Sequence, residues 1–197
     1  MSKKLAEVPY DTGKSYDFYE DKLLVDYREI SYGSIVGYGY LLTHKSNSVN
    51  FIPVSNSTTF TIYFDLGGEK FQFGRYANGA MAFKTSKQKT VDLIFSEVYK
   101  CLEILIAPLV FEKCLNTLRG AGELKIGGLT ISGTELSKKG LFGGVKTLPL
   151  SEYETTTIAQ GAVKVYGRNK KLFFSCPLSV INAPLTGAIL ETLTTSG

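Results

Sequence analysis

TVDLIFSEVYKCLEILIAPLVFEKCLNTLR, at Thr90–Arg119, is the longest periodic stretch of this 197-residue chain. Apolar side chains recur in it at intervals of three and four residues, which predicts one long α-helix that Gly120 ends. Leu93 and Ile104 widen the apolar stripe beyond one face, so we expect the helix to be buried on more than one side. Pro108 removes a backbone donor in mid-helix and predicts a kink there.

The residues before this helix predict β-structure. We expect residues 1–15 to be frayed, since they are polar, and strands to begin at Tyr16. A polar loop is predicted at residues 43–50 and a polar linker at residues 74–89. Between them, Gly67-Gly68 separates two aromatic and β-branched runs, which predicts a hairpin.

The residues after the helix predict a second set of strands and a short closing helix. Glycine-rich breaks separate the apolar runs, as expected of tight turns. The predicted strands are Glu123–Ile126, Leu129–Ser137, Val145–Leu150, Tyr153–Ile158, Ala162–Tyr166 and Leu172–Cys176. The closing helix is predicted at Val180–Thr194, with Pro184 in its first turn, where proline is tolerated. The fold class is therefore α+β.

The two halves share an order of strands, an aromatic hairpin and a helix. FTIYFDLGGEKFQFGR at Phe60–Arg75 can be laid over AVKVYGRNKKLFFSCP at Ala162–Pro177. Each is a strand, a tight turn with lysine and an aromatic strand. EISYGSI at residues 29–35 and LPLSEY at residues 148–153 both read as a strand end followed by a polar break. This weak similarity favours an internal repeat.

The second half resembles the bacterial branch of the pleckstrin-homology-like (PH-like) family. LTISGTEL, LPLSEY, AVKVYG, LFFSCPLS and the helix VINAPLTGAIL follow one another in the order typical of that family. The resemblance implies a strongly bent antiparallel sheet, or part-barrel, closed at one corner by a helix. We therefore expect two PH-like subdomains in tandem around the kinked central helix. They would be residues 1–119, with the helix 90–119, and residues 120–197, with the helix 180–194.

Composition limits the classes of function. With 22 basic and 18 acidic residues the net charge is +4, which lacks the dense basic stripe of a nucleic-acid-binding protein. The three cysteines, an odd number, are predicted to be reduced and mostly buried thiols. No apolar run is long enough to span a bilayer, and the first residues do not resemble a signal peptide. These features predict a cytoplasmic protein without a transmembrane segment.

Motifs of known catalytic or cofactor sites are not recognisable. His44 is the single histidine, and no Gly-x-Ser-x-Gly motif accompanies it, so we interpret it as a loop residue. Three scattered cysteines do not form a zinc site, and the acidic group Asp17, Glu20 and Asp21 lacks a calcium-loop glycine. Residues 140–147 match a phosphate loop only in part and precede a strand. No cofactor and no metal are predicted.

Two predicted turns of the second half form the candidate binding site. Lys138 and Lys139 precede Leu141 and Phe142, which places two cations beside two apolar side chains. Arg168, Lys170 and Lys171 lie on another turn. In lipid-binding PH domains, basic residues near a hairpin hold phosphates while apolar tips enter the interface, and the resemblance implies a similar role here. The alternative is that these are ordinary solvated hairpin tips.

The sequence favours a non-catalytic binding or scaffolding module whose partner is another protein or a second copy of the chain. One alternative is peripheral association with anionic lipid through the basic and apolar hairpin tip. Another is an enzyme whose site is built from tyrosine, serine and carboxylate side chains. A fold alone does not decide among these classes.

Overall fold

A computed structural model describes residues 2–49, 52–80, 86–140 and 143–195. The fold class is α+β, as predicted, with four antiparallel sheets and a long helix. The chain divides into two compact units. The first unit is Met1–Val36 and Tyr40–Leu109, and the second is Gly37–Gly39 and Val110–Gly197. The division falls within the helix at Leu109, whereas the sequence-based domain boundary was placed at residue 119.

The first unit contains two sheets. The first sheet is a meander of β1 (Lys4–Asp11), β2 (Lys14–Tyr19), β3 (Lys22–Val25) and β4 (Arg28–Ser31). A 3₁₀ turn, Tyr32–Ser34, leads to the sheet formed by β5 (Gly37–Val49), β6 (Ile52–Asp65) and β7 (Lys70–Ala80). Phe60, Ile62 and Phe64 alternate along β6 and are almost completely buried, because alternate side chains of a strand share one face.

Three sequence-based expectations for the first unit were wrong. Residues 4–11 form β1 instead of a frayed end, because β1 buries Val8 and pairs Lys4 with Asp17 of β2 at 3.0 Å. The polar stretch 43–49 continues β5, and residues 74–80 continue β7. Polar strands were missed because hydrophobic alternation is the signal used to recognise a strand.

The long helix begins earlier and ends later than predicted. It consists of α1 (Ser86–Cys101), a π-helical segment (Leu102–Ile106) and α2 (Ala107–Ala121). The N–H of Ala107 donates to the carbonyl of Leu102, five residues back, immediately before Pro108. Gly122, with φ of 75°, ends the helix through an N–H bond to the carbonyl of Leu118, so Gly120 is not the stop.

The helix carries one buried stripe. Its fully buried members include Val98, Leu102, Ile106 and Val110. Leu93 and Ile104, which the sequence placed in a broad apolar surface, are instead 67% and 72% exposed. The helix is therefore amphipathic, and the expectation that Leu93 and Ile104 extend its buried surface was wrong.

The second unit repeats the order of elements seen in the first. Its first sheet is formed by β8 (Glu123–Ile126), β9 (Leu129–Ser132), β10 (Glu135–Lys139) and β11 (Val145–Pro149). A 3₁₀ turn, Leu150–Glu152, leads to the sheet of β12 (Tyr153–Ala159), β13 (Ala162–Gly167) and β14 (Lys171–Pro177). A 3₁₀ turn, Ala183–Leu185, then precedes α3 (Thr186–Thr195), which packs on β12 and starts later than the predicted helix.

Two hydrogen bonds of Asn182 attach the start of β5 to the second unit. Its side-chain oxygen accepts a bond of 3.2 Å from the backbone N–H of Tyr38, and its own N–H donates to the Tyr38 carbonyl at 2.7 Å. Asn182 adopts a left-handed conformation, with φ of 64°, and is 8% exposed. Gly37 and Gly39 flank Tyr38, and neither leaves room for a side chain. Residues 37–39 are therefore an integral part of this unit.

Candidate functional site

A cleft of about 440 Å³ lies between β11 and the turn that joins β13 to β14. We call it the basic cleft. Its polar lining residues are Lys138, Lys146, Thr147, Glu152, Arg168 and Lys171, and its other lining residues are Leu148, Gly167, Leu172 and Phe173. With four cations and one carboxylate, the lining attracts anions.

Local sequence explains how the two walls come together. Lys146 and Leu148 are two residues apart on β11 and line the same cleft. Leu148 is buried against the core, whereas Lys146, nearer the start of the strand, is exposed. Across the cleft, a Cβ at Gly167 would lie 2.9 Å from a methyl group of Leu148, so glycine allows the two walls to approach.

Three of the cleft cations form no ion pair among the described residues. Lys146, Arg168 and Lys171 form no ion pair with any residue in the part of the chain that the structure describes. By contrast, five cations of the first unit each lie within 4.0 Å of a carboxylate: Lys4, Lys22, Arg28, Lys70 and Arg75. Three of the four cations that line the basic cleft are thus without an ion-pair partner among the described residues.

The matching place in the first unit shows the difference most clearly. Arg28 stands four residues before a 3₁₀ turn, as Lys146 does. The Arg28 guanidinium binds Glu69, on the turn between β6 and β7, at 2.6 Å and lies 4.6 Å from the ring centre of Phe71. In the second unit the corresponding turn carries Arg168 and Lys171 instead of an acid. The counter-charge that the first unit supplies internally is not supplied by this turn.

Lys138 has a structural role at the base of the cleft. Its ammonium group donates to the backbone carbonyl of Phe173 and lies 5.0 Å from the centre of the Phe173 ring. This ties β10 to β14. Lys138 is therefore less available to a ligand than Lys146, Arg168 and Lys171.

A second cavity, of about 570 Å³, shares Lys138 with the basic cleft. Lys125, Lys139, Val145 and Phe174 also line it. Lys125 is bound to Glu123 at 2.9 Å. Val145 is 70% exposed, so this part of the surface is partly apolar.

The structure brings together some of the predicted site residues and separates others. Lys138, Arg168 and Lys171 line the basic cleft, whereas Lys139 lines the neighbouring cavity. The backbone N–H of Lys170 donates to Glu154 at 2.9 Å, and the side chain of Lys170 is not part of the lining. Leu141 and Phe142 lie outside the described residues.

Sequence reasoning missed Lys146 and Glu152. Alternation along β11 places Lys146 on the same face as the apolar Leu148, and this could have indicated that Lys146 lies beside the core. The proximity of β11 to the β13–β14 turn is a tertiary feature, which spacing along the chain does not reveal. Glu152 belongs to the polar break that was interpreted only as a redirection of the chain.

His44 lies on β5, and its side-chain contacts resemble part of a hydrolytic triad. Its Nδ1 lies 3.0 Å from the hydroxyl of Thr58, and its Nε2 lies 3.6 Å from a carboxylate oxygen of Asp92. Thr58 is only 1% exposed, so its hydroxyl is not accessible to a substrate. The group links β5, β6 and α1, and the expectation that His44 lies in a loop was wrong.

The thiols of the chain are free. Cys114 and Cys176 are buried and Cys101 is half-buried. Burial raises the pKa of the Cys114 thiol to about 11, which disfavours the reactive thiolate at neutral pH. Within the described residues, no cluster of three or more His, Cys, Asp or Glu side chains could hold a metal ion. No helix there is long and apolar enough to cross a membrane.

No protein-family model matches this chain, and no curated protein matches it.

Proposed function

We propose that the chain is a non-catalytic binding module made of two PH-like subdomains in tandem, and that the second subdomain binds an acidic ligand in the basic cleft. The repeated order of elements supports the tandem arrangement. Each half contains a four-stranded meander, a 3₁₀ turn, a three-stranded sheet and a helix. The PH-like resemblance implies a strongly bent antiparallel sheet closed at one corner by a helix, and antiparallel strands followed by a helix are compatible with it.

One observation carries the proposed ligand class. Lys146, Arg168 and Lys171 converge on one cleft without an ion-pair partner among the described residues. Gathering like charges costs free energy, and a bound anion relieves that cost. The cleft volume of about 440 Å³ accommodates a group of several heavy atoms. A ligand with two or more negative charges complements these three cations.

Pyrophosphate titration tests this proposal. We expect backbone amide signals of residues 145–148 and 167–173 to shift in NMR spectra of the full chain as pyrophosphate is added. Lys146→Gln and Arg168→Gln should each weaken binding roughly twofold to fivefold, because an exposed ion pair contributes about 0.2–1 kcal/mol. Raising the salt concentration should weaken it further.

Lys125→Gln is the matched control. It removes one cation from the same unit, but Lys125 is paired with Glu123 and lies outside the basic cleft. Binding should be unchanged in this variant. Shifts that are scattered over the surface, or equal losses in Lys125→Gln and Lys146→Gln, would contradict a specific site.

A second candidate function is peripheral association with anionic lipid. Val145 and Leu172 are 70% and 51% exposed and belong to the linings of the two basic cavities. Cations beside exposed apolar side chains suit a membrane surface, where each nearby cation contributes about 1 kcal/mol. This observation favours the lipid alternative more than the charges alone do.

Vesicle sedimentation separates the two candidates. If lipid is the ligand, the chain should sediment with vesicles containing phosphatidylserine, and Lys139→Glu combined with Val145→Asp should abolish this. Lys138 is a poor choice for the test because it ties β10 to Phe173. Pyrophosphate binding without sedimentation would leave the basic cleft as a site for soluble acidic ligands.

A further inference from the structure

β11 forms one wall of the basic cleft and is the last strand of its sheet. The strand order is β11-β10-β9-β8, so β11 pairs only with β10 among the described strands. A strand in this position presents backbone N–H and C=O groups that can pair with another chain.

Hydrogen bonds at both ends of β11 define which of its residues face outward. The N–H of Leu150 donates to the carbonyl of Thr134 at 2.9 Å. At the other end, the N–H of Gly140 donates to the carbonyl of Gly144. The two bonding positions, residues 144 and 150, are even-numbered and lie one residue beyond either end of β11.

The pairing of β10 with β11 is continuous and antiparallel from residue 145 to residue 149. Hydrogen-bonded and non-bonded pairs alternate in such a ladder, so Lys146 and Leu148 belong to the bonded pairs. Val145 and Thr147 therefore turn their backbone N–H and C=O groups away from β10. The backbone of Pro149 also faces away from β10, so the N–H that proline lacks is not needed for pairing with β10.

The outward edge and the unpaired cations lie at the same place. Val145 and Thr147 offer two donors and two acceptors in a row, while Lys146 lies between them on the strand. Arg168 and Lys171 stand on the opposite wall of the cleft. A ligand that satisfies both features needs an extended backbone and negative side chains.

We propose that the partner is an extended acidic peptide segment of another protein, which pairs with the free edge of β11 and places acidic side chains against Lys146, Arg168 and Lys171. This inference rests on the proposed function, since it names the ligand of the same cleft. Alternate side chains of a strand point to one side, so the acidic residues occupy every second position. Five residues of β11 span about 17 Å, which a six-residue peptide covers.

The peptide acetyl-Thr-Glu-Thr-Glu-Thr-Glu-amide tests the proposal with the full chain. We expect it to bind with amide shifts along residues 145–149, and Lys146→Gln combined with Lys171→Gln to weaken binding at least fivefold. The peptide with Gln in place of Glu should not bind detectably. Lys125→Gln serves again as the variant that leaves binding unchanged.

N-methylated peptides test the strand pairing itself. Only every second N–H of an added strand faces β11, so methylation of the three Thr nitrogens and methylation of the three Glu nitrogens should differ. One of these two peptides should lose at least tenfold in affinity and the other should bind nearly as well as the parent. Equal affinities of the two would overturn edge pairing.

Pyrophosphate and vesicles distinguish the remaining outcomes. Binding of pyrophosphate without binding of the Glu peptide would overturn the peptide inference and leave the proposed function standing. Sedimentation with phosphatidylserine vesicles in the absence of peptide binding would overturn it in favour of lipid. If neither pyrophosphate, peptide nor vesicles bind, both the inference and the proposed function fail.

Discussion

Gly39 is a position at which the backbone excludes any side chain. A Cβ there would lie 2.9 Å from the carbonyl oxygens of Leu178, Ser179 and Val180. Three backbone atoms cannot yield as a flexible side chain would, so we expect Gly39→Ala to lower the free energy of unfolding by about 1–3 kcal/mol. Urea denaturation measures this. Gly33→Ala, whose Cβ would meet only a side-chain oxygen at 3.5 Å, should be nearly neutral, and equal losses in both variants would contradict the argument.

The backbone of Tyr27 is strained, and the side chain is not buried, so no burial offsets the strain. Asp26 and Tyr27 form the two central residues of the β3–β4 turn with φ of 46° and 68°, and Tyr27 is 95% exposed. A left-handed conformation costs a residue with a Cβ roughly 1–2 kcal/mol. Tyr27→Gly should therefore raise the thermal midpoint, whereas Tyr27→Ala, which keeps the Cβ, should change it little. A stabilised alanine variant would show that the ring, and not the backbone, is the source of the cost.

The long helix provides a matched pair of isoleucines for a test at the scale of an element. Ile104 is 72% exposed and Ile106 is completely buried, although both lie in the π-helical segment. We expect Ile106→Ala to cost about 2–5 kcal/mol, because it opens a cavity. Ile104→Ala should stay within about 0.5 kcal/mol of the parent. Urea midpoints compare them, and similar losses would mean that the helix is buried on both faces.

Elements were predictable where turns were marked by glycine and strands by apolar alternation. β8 was predicted residue for residue, because Gly127-Gly128 ends it and Leu124 and Ile126 alternate along it. β1 was missed because Val8 is its only buried residue, and its antiparallel pairing with β2, with one ion pair between Lys4 and Asp17, holds the rest. The predicted Leu129–Ser137 is two strands, since the chain turns after Ser132. Short polar turns without a glycine pair give little local signal.

At the scale of the whole molecule, some cations of the described residues are paired with carboxylates and others are not. Arg28 is paired with Glu69, whereas Lys171 lies among the unpaired cations of the basic cleft. Lys171→Glu should therefore stabilise the unliganded chain by a few tenths of a kcal/mol to about 1 kcal/mol while abolishing acidic-ligand binding. Arg28→Gln should destabilise it by a similar amount. Urea denaturation at low and at 1 M salt checks this, because both effects should shrink in salt. Destabilisation by Lys171→Glu at low salt would contradict the absence, among the described residues, of ion-pair partners for the cations of the cleft.

Only part of the candidate site could be predicted from the sequence. Arg168 and Lys171 were recognised because a cluster of cations on one turn is visible locally. Lys146 required knowledge that β11 lies opposite that turn, which depends on packing between distant segments. Lys138 was assigned to the ligand on the basis of its charge, but its contact with Phe173 gives it a structural role. The charge of each side chain could be read from the sequence, whereas its availability to a ligand depended on tertiary contacts.

The attachment of residues 37–39 to Asn182 has a practical consequence for dissecting the protein. A fragment that starts at Val110 would carry every strand from β8 onward and still lack the tripeptide that its own unit contains. The side-chain oxygen and the backbone N–H of Asn182 would each lose a partner on Tyr38, and the space beside the carbonyls of residues 178–180 would be emptied. Recombinant expression of the second half by simple truncation should therefore yield poorly folded material. Supplying the Gly-Tyr-Gly segment through a designed linker is the sounder route to an isolated domain.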